Sequence, residues 1–496
     1  MRAAGPAHFG VAAVGAGLLA AATVPGGELG LGAALACTGM AVAVASARPR
    51  RWTLWSVGMA LAAVGLAGMV AIRDADWLIA IDLLAALALG SLAVAARGEG
   101  FGALARGTTA VLGRLGAATP FVARSVARAT PAMPARRLVP ALRGLAFGGV
   151  LLAVFGGLFA SADPAFARLV PDVIPEWNLS LVPGQVLTFG LAVALSGALV
   201  LAGPAYGWAR PVPPGRIPAI DLRAVRSERG TRRLSPVEWG VPLVLLNGLF
   251  AAFVALQAAV LVAGHDRVLA TAGLTYAEHA REGFGQLVAA AALTLGVIAI
   301  FMRLAERGRG HQSLWLRLLL GGLCVATLAI LASALHRLGL YEEAFGYTRA
   351  RVAGHAFALW LGGVFVLLLV AGAARGGAWL PRATVALSAL ALLGLNAANP
   401  DGLVAAGNVE RFERTGKLDG DYIAGLSADA APAVARLPAD VAACRIVSPG
   451  YEPGSPDGWS SANLGRWRAR RALRAPSSTS DRACPSDTRP WPAHDR

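Results

Sequence analysis

In the stretch LTYAEHAREGFGQL, residues 274–287, the side chains of Tyr276, Glu278, His279, Arg281 and Glu282 crowd five polar or titratable groups into seven positions. Glu278, Arg281 and Glu282 stand at i, i+3 and i+4, the spacing that sets an arginine between two carboxylates on one helix face. Paired carboxylates can act as acid and base, and His279 adds a group that titrates near neutrality. The same spacing also suits a self-compensated ion network in a surface loop, which by itself stabilises little. No nucleophile motif, HExxH run or phosphate-cradling glycine loop accompanies the cluster, so it supplies no catalytic residue and no metal site.

A second stretch of the same flavour is SALHRLGLYEEAFGYTRAR, residues 333–351, with Tyr341, Glu342, Glu343, Tyr347, Thr348 and Arg349 between two apolar runs. Arginine and carboxylate groups in a partly desolvated cleft can hold a charged or hydroxylated ligand. Tyr276, Glu278, Arg281, Glu282, Tyr341, Thr348 and Arg349 are therefore the ligand-binding candidates, with structural bridging between loops as the alternative. Either role requires elements that bring the two stretches to one surface.

Those elements are set by composition. The chain is 56% hydrophobic and only 15% charged, far from the balance of a water-soluble protein of 496 residues. Apolar runs long enough to cross a bilayer recur at about 8–24, 29–47, 53–72, 77–96, 144–162, 185–206, 237–263, 284–302, 314–335, 355–374 and 383–398. They lack period-two alternation, and a span in lipid must satisfy its own backbone, so each is expected to be helical. The expected fold is an all-α, polytopic membrane bundle of about eleven transmembrane helices, with a range of ten to twelve. Its formal charge of +16 is carried by guanidinium, since Lys417 is the sole lysine. The basic stretches lie between apolar runs, which counts against a nucleic-acid partner.

Arginine placement sets the expected orientation. Arg2, the RPRR run at 48–51, the 97–143 and 207–236 loops, Arg303, Arg307, Arg309, Arg375 and Arg382 fall on one set of alternate connections. The opposite connections hold only Arg73, Arg168, Arg267, Arg281, Arg337, Arg349 and Arg351. Positive loops stay in the cytoplasm, so the N-terminus is expected inside a bacterial plasma membrane and the C-terminus outside. Within 102–138, leucine, valine and phenylalanine alternate with arginine, as in short amphipathic helices that contact anionic lipid; a solvated basic linker is the alternative.

Within the spans, Asp82, Asn247 and Gln257 are the intramembrane polar residues to explain. Asp82 suits either a proton or cation relay or a hydrogen bond between helices, and Asn247 and Gln257 suit interhelical hydrogen bonding. Cys37 and Cys324 lie in apolar runs, whereas Cys444 and Cys484 lie in the polar tail, where a disulfide is open to them on the oxidising side. No thiolate spacing suits zinc, and no cofactor is implied.

After the last span, residues 396–437 alternate polar Asn408, Arg411 and Arg414 with apolar Val409, Phe412 and Leu418, as a small amphipathic appendage would. TGKLDGDY reads as a turn into a second short helix ending before Pro432. SSANLGRWRARRAL reads as a short basic helix, and the last twenty residues as disordered. The expected divisions are 1–143 (helices and basic loop), 144–236 (two helices and basic linker), 237–398 (membrane core), 399–437 (extracytoplasmic helical appendage) and 438–496 (polar tail).

The pieces LNGLFAAFVALQ, TYAEHAREGFGQL, SALHRLGLYEEAFGYTRAR, NPDGLVAAGNVER and GKLDGDYIAGLSADAAPAV occur in this order over 236–437. In them the chain resembles uncharacterised bacterial polytopic membrane proteins carrying a domain of unknown function, the type numbered 4173 and its 4153 relative. The resemblance implies motif positions at Asn399, Asp401, Asn408, Arg411, Asp419 and Tyr422 in the appendage, besides the loop and span residues already named, and implies no activity. The N-terminal half resembles the family only in being helical and membrane-embedded. Transport or ligand binding at an extracytoplasmic vestibule is the expected function; a membrane enzyme acting on an envelope or lipid-linked substrate, or a sensory or scaffolding subunit, are the alternatives. The lack of a recognisable catalytic motif counts against the enzyme.

Overall fold

The computed structural model describes residues 7–47, 52–95, 100–129, 181–203, 236–263, 276–304, 311–374, 376–438, 441 and 458–473. The span expected at 144–162, nearly all of the 207–236 linker, Cys444, Cys484 and the last twenty residues lie outside them. Every regular element among the described residues is helical: α1 (Ala7–Thr23), α2 (Leu31–Ser46), α3 (Leu54–Gly68), α4 (Asp76–Ala95), α5 (Phe101–Thr109), α6 (Leu115–Ala129), α7 (Val182–Ala202), α8 (Pro236–Ala263), α9 (Tyr276–Leu304), α10 (His311–Phe345), α11 (Arg349–Ala373), α12 (Leu380–Ala398), α13 (Pro400–Thr415), α14 (Gly420–Ala424), α15 (Ala431–Val434) and α16 (Leu464–Leu473).

Among the described residues, eight stretches are long and apolar enough to cross a membrane: Leu54–Ala71, Asp76–Ala95, Val182–Ala202, Pro236–Ala258, Phe284–Leu304, Ser313–Phe345, Arg349–Ala373 and Leu380–Ala398. The apolar helices α1 and α2 are shorter, at 17 and 16 residues. Many large side chains point outward, Leu293 being 72% exposed, as expected where the solvent is lipid. The protein is membrane-embedded and all-α.

The described residues fall into two compact units, one drawn from Met1–Pro211 together with Gly420–Arg496, the other from Val212–Asp419. In the first, α1 packs on α2, α6 and α7 around Phe9, Val44, Phe121, Val122, Val193 and Val200. The Phe9 and Phe121 ring centres are 5.6 Å apart. Gly10 permits the close crossing of α1 over α6, since a Cβ there would meet the Val126 amide nitrogen at 2.5 Å. A solvated linker is therefore excluded for the described part of the 102–138 segment: α6 contributes to this core, and Ser91 Oγ ties α4 to α5 by donating to the Gly107 carbonyl at 2.5 Å.

The C-terminal segment completes this unit. The Leu31 and Gly32 amides at the start of α2 donate to the carbonyls of Ala462 (2.9 Å) and Ser460 (2.7 Å). Asn463 Nδ2 donates to the carbonyls of Val70 (2.9 Å) and Arg73 (2.8 Å). Asp74 and Asp429 tie their two segments together: Asp74 Oδ2 accepts from the Ala428 amide at 3.1 Å, and Asp429 Oδ2 from the Asp74 amide at 2.7 Å. Arg466, itself buried, pairs with Asp74 at 2.5 Å and Glu28 at 3.0 Å, and Arg73 approaches Asp429 at 3.5 Å. Burial pushes both aspartates above the usual carboxylate range, more strongly than the hydrogen bonds and arginines that favour their ionised forms pull them down. Pro432 lies inside α15, in its first turn, where a missing N–H costs nothing; the second short helix expected to stop before it is replaced by α14, a 3₁₀ turn over Ala428–Ala430, and α15.

In the second unit, α8, α9, α10 and α11 surround Ala291, Ile298, Leu323, Leu331, Leu361 and Phe365. Helix α12 joins them through α11, with Trp360 Nε1 donating to Ser388 Oγ at 3.0 Å. Helix α10 continues past its apolar run through ALHRLGLYEEAF, which carries one polar loop to the end of the bundle.

Candidate functional site

Three residues, Gly346, Tyr347 and Thr348, connect α10 to α11. Gly346 has φ of +83°, a left-handed conformation that stops α10, and its amide donates to the Glu342 carbonyl at 2.7 Å. Thr348 caps α11, its hydroxyl accepting from the Arg351 amide. A matching corner lies between α12 and α13. Asn399, at φ of 55°, ends one helix and starts the next, with its Oδ1 accepting from the Gly402 amide at 3.3 Å and Pro400 following in the first turn.

Helix α13 is fastened to the first corner through its residues Asp401, Asn408 and Arg411. Asp401, fully buried, receives Arg349 in a two-pronged pair, Nε to Oδ1 at 2.8 Å and Nη2 to Oδ2 at 2.6 Å. Asn408 Oδ1 accepts from the Tyr347 amide at 3.0 Å, and its Nδ2 donates to the Tyr347 carbonyl at 2.8 Å. Arg411 Nη2 donates to the Ala344 carbonyl at 2.8 Å and Nε to that of Glu343 at 3.4 Å, satisfying carbonyls that the end of α10 leaves open. Gly407 leaves room for the Tyr347 ring, whose atoms stand where a Cβ would be. Burial raises the Tyr347 phenol above its usual value, and the charges of Glu342, Glu410 and Glu343 add to that. Arg411 is lowered by burial and by the neighbouring Arg351 and Arg414 charges.

Beside these fastenings stands a second group. Glu342, 4% exposed, places Oε1 3.5 Å from His355 Nδ1, which also lies 3.3 Å from the Arg351 carbonyl. The Arg351 guanidinium lies 4.2 Å from the centre of the Tyr341 ring and donates to the Gly346 carbonyl. A buried carboxylate beside an imidazole can hold and exchange a proton, and an arginine over a phenol ring makes a polar wall. Gly354 on α11 approaches the Phe284 ring of α9, so the helix that bears the 276–283 cluster runs beside this corner.

Of the residues singled out in the sequence, Thr348, Arg349, Asn399, Asp401, Asn408 and Arg411 meet at this end of the second unit, and Tyr341 stands beside them. Tyr276, Glu278, Arg281 and Glu282 lie in the first turns of α9, and their side chains are outside the described residues. Asn247 Nδ2 on α8 donates to the Leu319 carbonyl of α10 at 3.0 Å, and Gln257 Oε1 accepts from Arg337 Nη2 at 2.9 Å. Asp82 is fully buried on α4 in the first unit. Asp419 is exposed and Tyr422 half-buried in α14. His355 goes unmarked in the sequence because it opens an apolar run; its signal was position, a titratable residue one turn after the TRAR segment. No group of three or more histidine, cysteine or acidic residues able to hold a metal occurs among the described residues.

Neither the curated proteins nor the solved structures contain a match to this chain. Residues 60–437 match the family model described as a domain of unknown function, DUF4153. The match extends the resemblance of 236–437 back into α3 and takes in the described helices α4 to α7, so the N-terminal half shares more with the family than helical character. The matched range covers about three quarters of the chain and includes the fastened corner, and the chain belongs to the DUF4153 family.

Proposed function

We propose that this is an eleven-span protein of the bacterial plasma membrane, N-terminus inside and C-terminus outside, that binds or transports a ligand through an extracytoplasmic vestibule at the corner of α10, α11 and α13. The observation that carries this is the Glu342–His355 pair: a carboxylate buried at a helix end beside a half-exposed imidazole, next to Arg351 and Tyr341 and additional to the contacts that fasten the corner. Burying such a carboxylate is costly, so a role in ligand or proton binding accounts for its retention. Asn408 with Tyr347 in the second unit, and Ala462 with Leu31 in the first, each join segments that the eleven-span arrangement assigns to the outer face, which supports it.

On the opposite face, the α5–α6 segment then carries the positive charge of Arg106, Arg114, Arg124 and Arg128, which suits anionic lipid. A scaffolding or sensory subunit is the second reading, favoured by the number of polar residues at the corner engaged in fastening it.

Two experiments separate these. Purified protein in detergent is screened by thermal shift against amino acids, sugars and organic anions; a stabilising compound whose effect is lost in Glu342→Gln and kept in Asn247→Leu supports the vestibule, and no stabilisation by any class overturns it. A cysteine placed at Ala280 is labelled by an impermeant thiol reagent in intact cells if the orientation holds, and only in inverted vesicles if it is reversed.

A further inference from the structure

Helix α16 has two faces of unlike chemistry. One is occupied: Arg466 and Ala469 are buried, with Arg466 paired to Asp74 and Glu28. The other is open. Trp467 is 50% exposed, Arg468 and Arg471 are exposed, and the preceding turn presents Trp459 at 63%. The Arg471 guanidinium lies 5.6 Å from the Trp467 ring centre, so charge and indole form one continuous surface. Leu464–Leu473 contains no carboxylate to neutralise it.

The position of this surface decides what it meets. Ser460 and Ala462 hydrogen-bond to the first residues of the apolar helix α2, and Asn463 to the carbonyls that follow α3. Helix α16 therefore starts within a few residues of the level at which apolar helices end, the depth of lipid headgroups. Indole rings favour that zone, and guanidinium pairs with phosphate through two hydrogen bonds. We propose that Trp459, Trp467, Arg468 and Arg471 form a binding surface for the headgroups of anionic phospholipids in the leaflet on the tail side of the membrane. Which leaflet that is rests on the orientation proposed above; the surface itself does not.

The test uses the full chain in vesicles of phosphatidylcholine alone or mixed with phosphatidylglycerol, carrying bromine on the acyl chains of the anionic lipid. Brominated phosphatidylglycerol should quench a component of tryptophan emission that Trp459→Phe/Trp467→Phe removes. In native mass spectrometry, Arg468→Gln/Arg471→Gln should lower retention of phosphatidylglycerol by about tenfold while leaving phosphatidylcholine unchanged. Equal retention by the variant would overturn the proposal. So would quenching of the same component by aqueous iodide in place of brominated lipid, which would mean a water-borne protein or polymer partner, or displacement of the lipid by inorganic phosphate, which would mean a soluble-anion site. These readouts report contact with lipid and not sidedness, so a reversed orientation would leave them standing.

Discussion

Asn408 holds Tyr347 by both polar atoms of its backbone, 61 residues away in the chain, giving a loop the pairing that a neighbouring strand would give it. Replacing Asn408 by alanine leaves that amide and carbonyl unsatisfied, which should cost about 2 kcal/mol. Aspartate keeps the acceptor, loses the donor and buries a charge, so Asn408→Asp should be less stable than Asn408→Ala at neutral pH and should recover on acidification. Thermal unfolding of the purified protein, with proteolysis at 345–348, measures both.

Gly346 and Gly416 both have positive φ, 83° and 70°, yet differ in surroundings. A Cβ at Gly416 meets nothing within 4 Å, whereas at Gly346 it would collide with Asn408 Oδ1. Gly416→Ala should cost about 1 kcal/mol from backbone conformation alone. Gly346→Ala should cost about 3 kcal/mol, because the fastening amide must also move. Equal melting temperatures for the two variants would contradict this packing.

Removing Arg349 takes the two-pronged guanidinium from the fully buried Asp401 carboxylate, and the expected loss is about 3 kcal/mol. Arg349→Lys keeps the charge but cannot make the two-pronged contact and should fall between wild type and Arg349→Ala. Pairing Arg349→Ala with Asp401→Asn should recover part of the loss, a coupling that a double-mutant cycle reads directly.

Asp74 and Asp429 make the tail respond to acid in an unusual direction. Both have folded-state values raised above the ordinary aspartate value, so the folded clasp takes up protons that the unfolded chain releases. Their contribution to stability therefore increases as pH falls through the raised values, and stays constant once pH is below the unfolded value of about 4. The midpoint of tail detachment, followed by Trp467 emission, should rise or hold between pH 7 and about pH 4, and Asp74→Asn should flatten the dependence.

Asn247→Leu should lower stability by about 0.6 kcal/mol, the ordinary worth of one hydrogen bond between membrane helices, since the lost partner is the Leu319 carbonyl of α10. A much larger loss, accompanied by loss of ligand stabilisation, would instead assign Asn247 to the vestibule.

The sequence makes the helices readable because lipid leaves the backbone no alternative, and ten of the eleven apolar runs fall on helices here. Their ends are less readable. The apolar run predicts α10 over 314–335, yet it spans His311–Phe345, since hydropathy sees the part in contact with lipid while helical geometry continues through LYEEAF. At the corner, residue types such as Gly346, Thr348 and Asn399 announce helix ends, but nothing local tells that Asn408 is for Tyr347. Arg466 shows the limit most plainly: in LGRWRARRAL it looks like one of four equivalent surface arginines, and it is the buried one, because Asp74, 392 residues earlier, meets it. Only the third dimension separates it from Arg468 and Arg471.

The same long-range clasp has a consequence for biogenesis. Helices α1 to α4 emerge from the ribosome early, but the groups that engage Leu31, Gly32, Val70, Arg73 and Asp74 come from residues 428–466. Until that segment has been translated, the amides that start α2 and the Arg73–Asp74 pair lack these partners, so premature termination after α13 would leave the earliest-made helices recognisably unfinished to a membrane protease.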